Sequence, residues 1–168
     1  DVHGPTGEPV TATLAVRGTT VLVEMADACG LARLPDAVPA PLRASSRGLG
    51  KAILAALDLE ASEIVVGVGG SASTDGGAGM LRALGARLLD ADGVDLAEGG
   101  GALADLEHLD LTVAPGDTIG VAVGGGGNSP GSTSIGQGGI NGGGNGGTVN
   151  VVGSGGGGWT VAHFGRAS

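Results

Sequence analysis

The stretch IVVGVGGSASTDGGAGM, Ile64 to Met80, decides how the chain is read. It opens with a short apolar run rich in β-branched residues. It passes through glycines, small hydroxyls and one carboxylate, and ends where Met80, Leu81 and Leu84 are spaced to share a helix face. The pattern predicts a strand, a tight glycine loop and a helix start. Such a turn aims backbone N–H groups and the positive end of a helix dipole at one point, where an anion can sit. Glycine there leaves the backbone open to close approach. Ser71, Ser73 and Thr74 add hydroxyl donors. Asp75 is placed to orient a hydroxyl, hold Mg²⁺, take a proton or simply cap the helix. The spacing is neither the dinucleotide fingerprint nor the Walker loop, because no Lys follows the glycines. A plain strand-to-helix turn remains the alternative.

Working outward, PVTATLAV (Pro9–Val16) alternates as a half-buried strand. The turn Arg17-Gly18 joins it to a second strand, Thr19 to Glu24, as an antiparallel hairpin. Met25 to Cys29 starts a helical turn that Gly30 closes. The prolines between Pro35 and Pro41 mark a loop. Ser45 or Ser46 caps a helix to about Leu57, striped by Ile53, Leu54 and Leu57. Gly48 and Gly50 in its first turn cost roughly 1 kcal/mol each relative to Ala. Either a ligand or a neighbouring helix therefore approaches the backbone there. After the central stretch come a strand at Arg87–Leu89, a turn at Ala91–Gly93, and a return at Val94–Leu96. A helix at Gly101–Leu106 and a last strand at Leu109–Val113 follow. Strands alternating with helices predict an α/β domain with a mixed sheet and flanking helices. A ligand in such a domain sits at the carboxyl ends of the strands.

Beyond residue 117 the composition changes. Of 38 glycines, 20 fall in 118–168, a low-complexity Gly/Asn-rich tail. Its runs VNVV and GVAV favour extended structure, and its low apolar mass favours disorder. Residues 1–117 hold all 17 acidic residues, which argues against nucleic acid and anionic membrane as partners. Cys29 is alone, so no disulfide framework is expected and a reduced, cytoplasmic setting fits. No apolar run reaches the ~18 residues of a spanning helix. His3, His108 and His163 lack ligand spacing, so no metal site is assigned.

Four segments carry a resemblance. GGSASTDGGAGM with Leu84-Gly85, VEMADACGL (Val23–Leu31), SSRGLGKAI (Ser45–Ile53) and DADGVDLAEGGGALADLEHLDL (Asp90–Leu111) occur in one order. In that order they resemble the signature segments of the bacterial-type glycerate kinases, over about Asp1 to Val113. The resemblance implies the two-domain fold of that family and ATP-dependent phosphorylation of a D-glycerate hydroxyl to phosphoglycerate. It implies ATP and Mg²⁺ as cofactors, and a small-molecule acid and a nucleotide as partners. It places Gly69, Gly70, Ser71, Thr74, Asp75, Gly76 and Gly77 in the site, with Asp75 the catalytic candidate. Ser46, Arg47 and Gly48 form a second group, for the glycerate carboxylate or a phosphate, with Arg47 otherwise a solvated charge.

The family usually has Asn where Thr74 stands. Its N-terminal Asp-Ser-Phe-Lys-Gly loop and its C-terminal return segment have no counterpart here. With a lone lysine, Lys51, the charges that phosphoryl transfer requires are incomplete, so weak or absent activity is expected of this truncated chain. The rival readings are a non-catalytic remnant or Gly-rich assembling protein, and an anion-binding α/β module without chemistry.

Overall fold

The computed structural model describes residues 1–111, 150–153 and 160–165, with side chains described for 1–111. A small ribbon of β1 (Val2–His3) and β2 (Pro9–Val10) precedes the main sheet. That sheet has the order β3-β4-β5-β9-β8, from Leu14–Arg17, Thr20–Glu24, Glu63–Gly67, Thr160–Gly165 and Asn150–Gly153. β4 and β5 run parallel and the other pairs are antiparallel, so the sheet is mixed. The helices are α1 (Met25–Cys29), α2 (Arg47–Asp58) and α3 (Ala78–Ala83). β6 (Arg87–Leu89) and β7 (His108–Asp110) form a separate two-stranded ribbon, and Leu89 also bridges Asp95.

Period-two alternation sets the core. Val21, Val23, Ile64 and Val66 are buried on one sheet face, while Leu22 and Glu24 face outward. Leu49, Ile53, Ala52 and Ala56 of α2 close over that face, joined by Ala28 and Cys29 of α1. Each large aliphatic side chain so buried contributes about 1.5–3 kcal/mol. Apolar surroundings also push the Cys29 thiol up to about 11, chiefly by desolvation, with the nearby Asp75 charge adding to it.

The expected hairpin forms, with Leu14 opposite Val23. The expected strand Pro9–Val16 is divided instead. Its first part pairs with β1, and the Thr13 N–H donates to the Asp27 carboxylate rather than to a neighbouring strand. The Leu109–Val113 strand starts one residue early, at His108, and joins the β6 ribbon rather than the sheet. The predicted helix at Gly101–Leu106 is a 3₁₀ segment, Gly100–Asp105, because glycines crowd its first turn. Gly30 ends α1 with extended φ of −79°, not the left-handed turn. It must be glycine because a Cβ would lie 2.7 Å from the Ala26 Cα. The boundary near residue 117, the run GVAV and most of the Gly-rich segment lie outside the described residues. Part of VNVV falls in β8.

The glycines of α2 answer to packing. A Cβ on Gly50 would stand 2.6 Å from both the Met80 carbonyl oxygen and the Ala83 Cβ of α3. A Cβ on Gly48 would strike the His3 carbonyl oxygen. The close approach inferred from these glycines is therefore protein on protein.

Two outcomes are expected. Gly50→Ala gains about 1 kcal/mol of helix propensity but overpacks a backbone contact, a change that costs about 1–3 kcal/mol. The variant should unfold at lower urea than the parent, and a higher midpoint would contradict the contact. Cys29, the only cysteine, should react with iodoacetamide at pH 8 only as the fold opens. The folded thiol keeps its proton while the unfolded one loses it near 9, so this group subtracts stability as pH rises from 9 to about 11.

Candidate functional site

β4 and β5 end side by side, with Glu24 opposite Gly67. The chain leaves both carboxyl ends together, into α1 and into the glycine loop. The two exits are stitched by a bridge between Gly30 and Ser71: the Leu31 N–H donates to the Gly70 carbonyl at 3.0 Å and the Ala72 N–H to the Cys29 carbonyl at 2.9 Å. The loop therefore stands where ligands of parallel sheets sit.

Asp75 is at the end of this loop, 2% exposed. Its Oδ2 accepts from the Ser46 N–H (2.7 Å), the Ser46 hydroxyl (2.9 Å) and the Gly79 N–H (3.0 Å), and its Oδ1 accepts from the Gly77 N–H (3.1 Å). The Ser46 hydroxyl in turn accepts from the Met80 N–H at 3.0 Å. The amides that open α3 are thus taken by side chains of the protein itself. The anion expected at this helix start is an internal one, and Asp75 takes the capping role open to it rather than facing an opening. Gly77 enters α3 with φ of +88°, a left-handed conformation that favours glycine.

The other expected residues separate into two groups. Ser46 and Gly48 are buried, and Thr74 is exposed while its hydroxyl donates to the Pro41 carbonyl. Gly69, Gly70, Ser71 and Gly76 stay on the accessible edge. Among the described residues the amides of Gly69, Gly70 and Gly76 carry no hydrogen bond, and space beside Gly69 and Gly76 is open. Ser71 and Ser73 share a 2.7 Å hydroxyl contact at that edge.

Arg47, first residue of α2, is half-buried. Its Nη1 reaches Glu98 Oε1 at 2.5 Å, and its Nε is enclosed without a partner. Glu98 Oε2 accepts from the Ser45 hydroxyl at 2.7 Å, and Arg82 Nη1 of α3 stands 3.7 Å from Oε1. Sequence reasoning missed Ser45, Arg82 and Glu98 as one group, since 53 residues separate Ser45 from Glu98. The signal available was Glu98 within the segment Asp90–Leu111.

Among the described residues no three His, Cys, Asp or Glu side chains gather to hold a metal ion. The four donors on Asp75 leave its oxygens ill suited to Mg²⁺. No described helix is long and apolar enough to cross a membrane.

The family model described as the glycerate kinase family matches residues 1–123. The chain is 48% identical over 113 residues to a glycerate kinase of Bacillus subtilis, covering 66% of this chain and 30% of that protein. It is 47% identical, with the same coverage, to a glycerate 2-kinase of Escherichia coli. A crystal structure assigned to glycerate kinase 2 of Salmonella typhimurium LT2 superposes with a TM-score of 0.65 at 46% identity, covering 67% of this chain and 31% of that one. The chain thus spans about a third or less of the relatives it matches.

Removing the Asp75 carboxylate strands several buried N–H groups, each worth about 1–3 kcal/mol when left unpaired. Asp75→Ala should lose about 3 kcal/mol or more in urea unfolding. Asp75→Asn, which keeps one acceptor, should lose clearly less. Equal, small losses from both would show that the carboxylate does not hold the loop.

Proposed function

The chain belongs to the glycerate kinase family, and from that premise we propose that its site serves ATP-dependent phosphoryl transfer to a hydroxyl of D-glycerate. In this reading the glycerate oxygen bonds to the γ-phosphorus while the bond from that phosphorus to the β,γ-bridging oxygen breaks. The products are phosphoglycerate and ADP, and the proton of the glycerate hydroxyl passes to water. The observation that carries the reading is the open edge of the glycine loop at the carboxyl end of the parallel pair. There the amides of Gly69 and Gly76 lie beside open space, the amide of exposed Gly70 carries no hydrogen bond, and the paired Ser71 and Ser73 hydroxyls are partly exposed. Such donors position phosphate oxygens and offset their charge without a cationic side chain. Thr74, with its hydroxyl on Pro41, lines the edge through its backbone. Ser46, Gly48, Gly77 and Asp75 set the shape of this edge from behind. Arg47 supplies the one guanidinium at the start of α2. Asp75, whose two oxygens already accept four hydrogen bonds, is not placed to hold magnesium.

The chain covers 30% of its curated relatives, and that share favours the second reading, an α/β core that binds nucleotide or phosphate without efficient turnover. Both readings place it with small-molecule partners in a cytoplasmic setting.

Incubation with ATP and D-glycerate, followed by phosphorus NMR, tests the first reading. Phosphoglycerate should form with kcat well under the ~1–100 s⁻¹ typical of kinases. Turnover in that ordinary range would refute the expected impairment. Product absent while ATP still raises the melting temperature would leave the binding core. Neither product nor ATP-induced stabilisation would remove both readings.

A further inference from the structure

We propose that the hollow on the outward face of the β3–β4 hairpin holds the nucleoside end of the nucleotide. In this site the Glu24 carboxylate accepts hydrogen bonds from the ribose hydroxyls, and the phosphate chain runs over Ala26 to the glycine loop. The inference rests on the nucleotide reading above and adds a site to it. The hollow measures about 510 Å³, within the range of small-molecule sites. Ala15 and Leu22 of the hairpin line it, with Glu24 and Ala26 where β4 turns into α1, and Ala32 and Arg33 just beyond. Ala15 stands opposite Leu22 in the ladder, and the period of two puts both, with Glu24, on the sheet face turned away from the core. Three of these apolar side chains are alanines, so the floor has room for a flat ring.

The charges in the hollow select the ligand. Asp27 accepts from the Thr13 N–H at 2.6 Å and from Arg33 Nη2. These two charges offset each other, and the guanidinium so pinned offers a plane on which a base can stack. The Glu24 side chain is exposed and meets no donor or cation among the described residues. A free carboxylate takes hydroxyl protons, as acidic residues do at the ribose of dinucleotide-binding folds, and repels phosphate. The neutral, hydroxyl-bearing part of a nucleotide therefore belongs at Glu24 and its anionic part at the loop amides. Hollow and loop are contiguous. A Cβ on Gly70 would lie 3.3 Å from the Ala26 Cβ, and one on Gly67 would lie 3.8 Å from the Glu24 Cγ. A nucleotide with its ribose on Glu24 thus passes only an alanine on the way to the Gly70 amide. Glycerate is too small to fill this volume, and its own carboxylate is repelled by Glu24.

Calorimetric titration of ADP into the full chain tests the proposal, with tripolyphosphate, which lacks the nucleoside, and D-glycerate as controls. Glu24→Gln should weaken ADP binding about five- to tenfold, because a charged acceptor becomes a neutral one. Dideoxy-ADP, which lacks both ribose hydroxyls, should bind the parent chain more weakly by a similar factor. It should lose nothing further on Glu24→Gln, a coupling that a merely structural role of Glu24 would not give. Ala32→Trp, at an exposed position, fills the hollow and should weaken ADP about tenfold or more. Tripolyphosphate and glycerate should respond to neither substitution. Urea unfolding checks that both variants fold, and dideoxy-ADP tests the same contact on the parent chain with no substitution at all. ADP affinity unchanged in both variants overturns the proposal. So does a loss for tripolyphosphate equal to that for ADP, full-strength binding of dideoxy-ADP, or no ADP binding by the parent chain. ADP affinities that follow this pattern without phosphoryl transfer to glycerate would sink the transfer reading and leave the nucleoside site standing. Transfer with ADP affinities indifferent to these substitutions would do the reverse.

Discussion

A single buried carboxylate holds the working end of this molecule together. Asp75 accepts from the backbone at the start of α2 and from the backbone at the start of α3, and a hydroxyl between them completes the knot. Its charge faces the positive ends of two helices, which compensates for leaving water. Everything the glycine loop presents to solvent depends on this arrangement, because the loop is fixed at one end by Asp75 and at the other by β5. The bridge from Gly30 to Ser71 fixes its middle.

That knot requires the two helices to be close, and closeness requires missing side chains. Gly50 of α2 meets the backbone of Met80, and Gly79 of α3 leaves room for Ser45, Arg47 and Asp75 itself. Glycine here lowers helix propensity by an amount comparable to one good hydrogen bond. The several hydrogen bonds made possible by the approach outweigh it. The same geometry brings Arg47 and Arg82, one from each helix, to a common carboxylate on the segment that follows β6.

Much of this was legible in the order of residues. The alternation of Val21 and Val23, and of Ile64 and Val66, marked the buried strands and the face they share, because period two is a local property. The stripe Ile53, Leu54 and Leu57 marked α2 in the same way, and the motifs that resembled a kinase family fell where that family's segments match. Local pattern did not reveal what a glycine or a carboxylate touches. Gly50 reads the same whether a ligand or Met80 approaches it. Asp75 reads the same as a cap or as a reacting group until Ser46, 29 positions earlier, is found against it. The fate of the strand near Leu109 was also hidden. Its partner is chosen by the turn at Asp90, whose carboxylate and carbonyl hold the Val94 and Gly93 amides and fold β6 back on the later chain.

The parallel pairing of β4 with β5 has a consequence for how the chain acquires its shape. Thr20 meets Glu63 at a sequence separation of 43, so the pair closes a long loop before its ladder gives any return. α2 is the only long helix inside that loop and is made of local contacts that form on a far shorter timescale. Docking of a preformed α2 onto the Thr20–Glu24 ribbon is then the event that brings β5 within reach. A pairing this distant in sequence slows assembly relative to one made of local contacts.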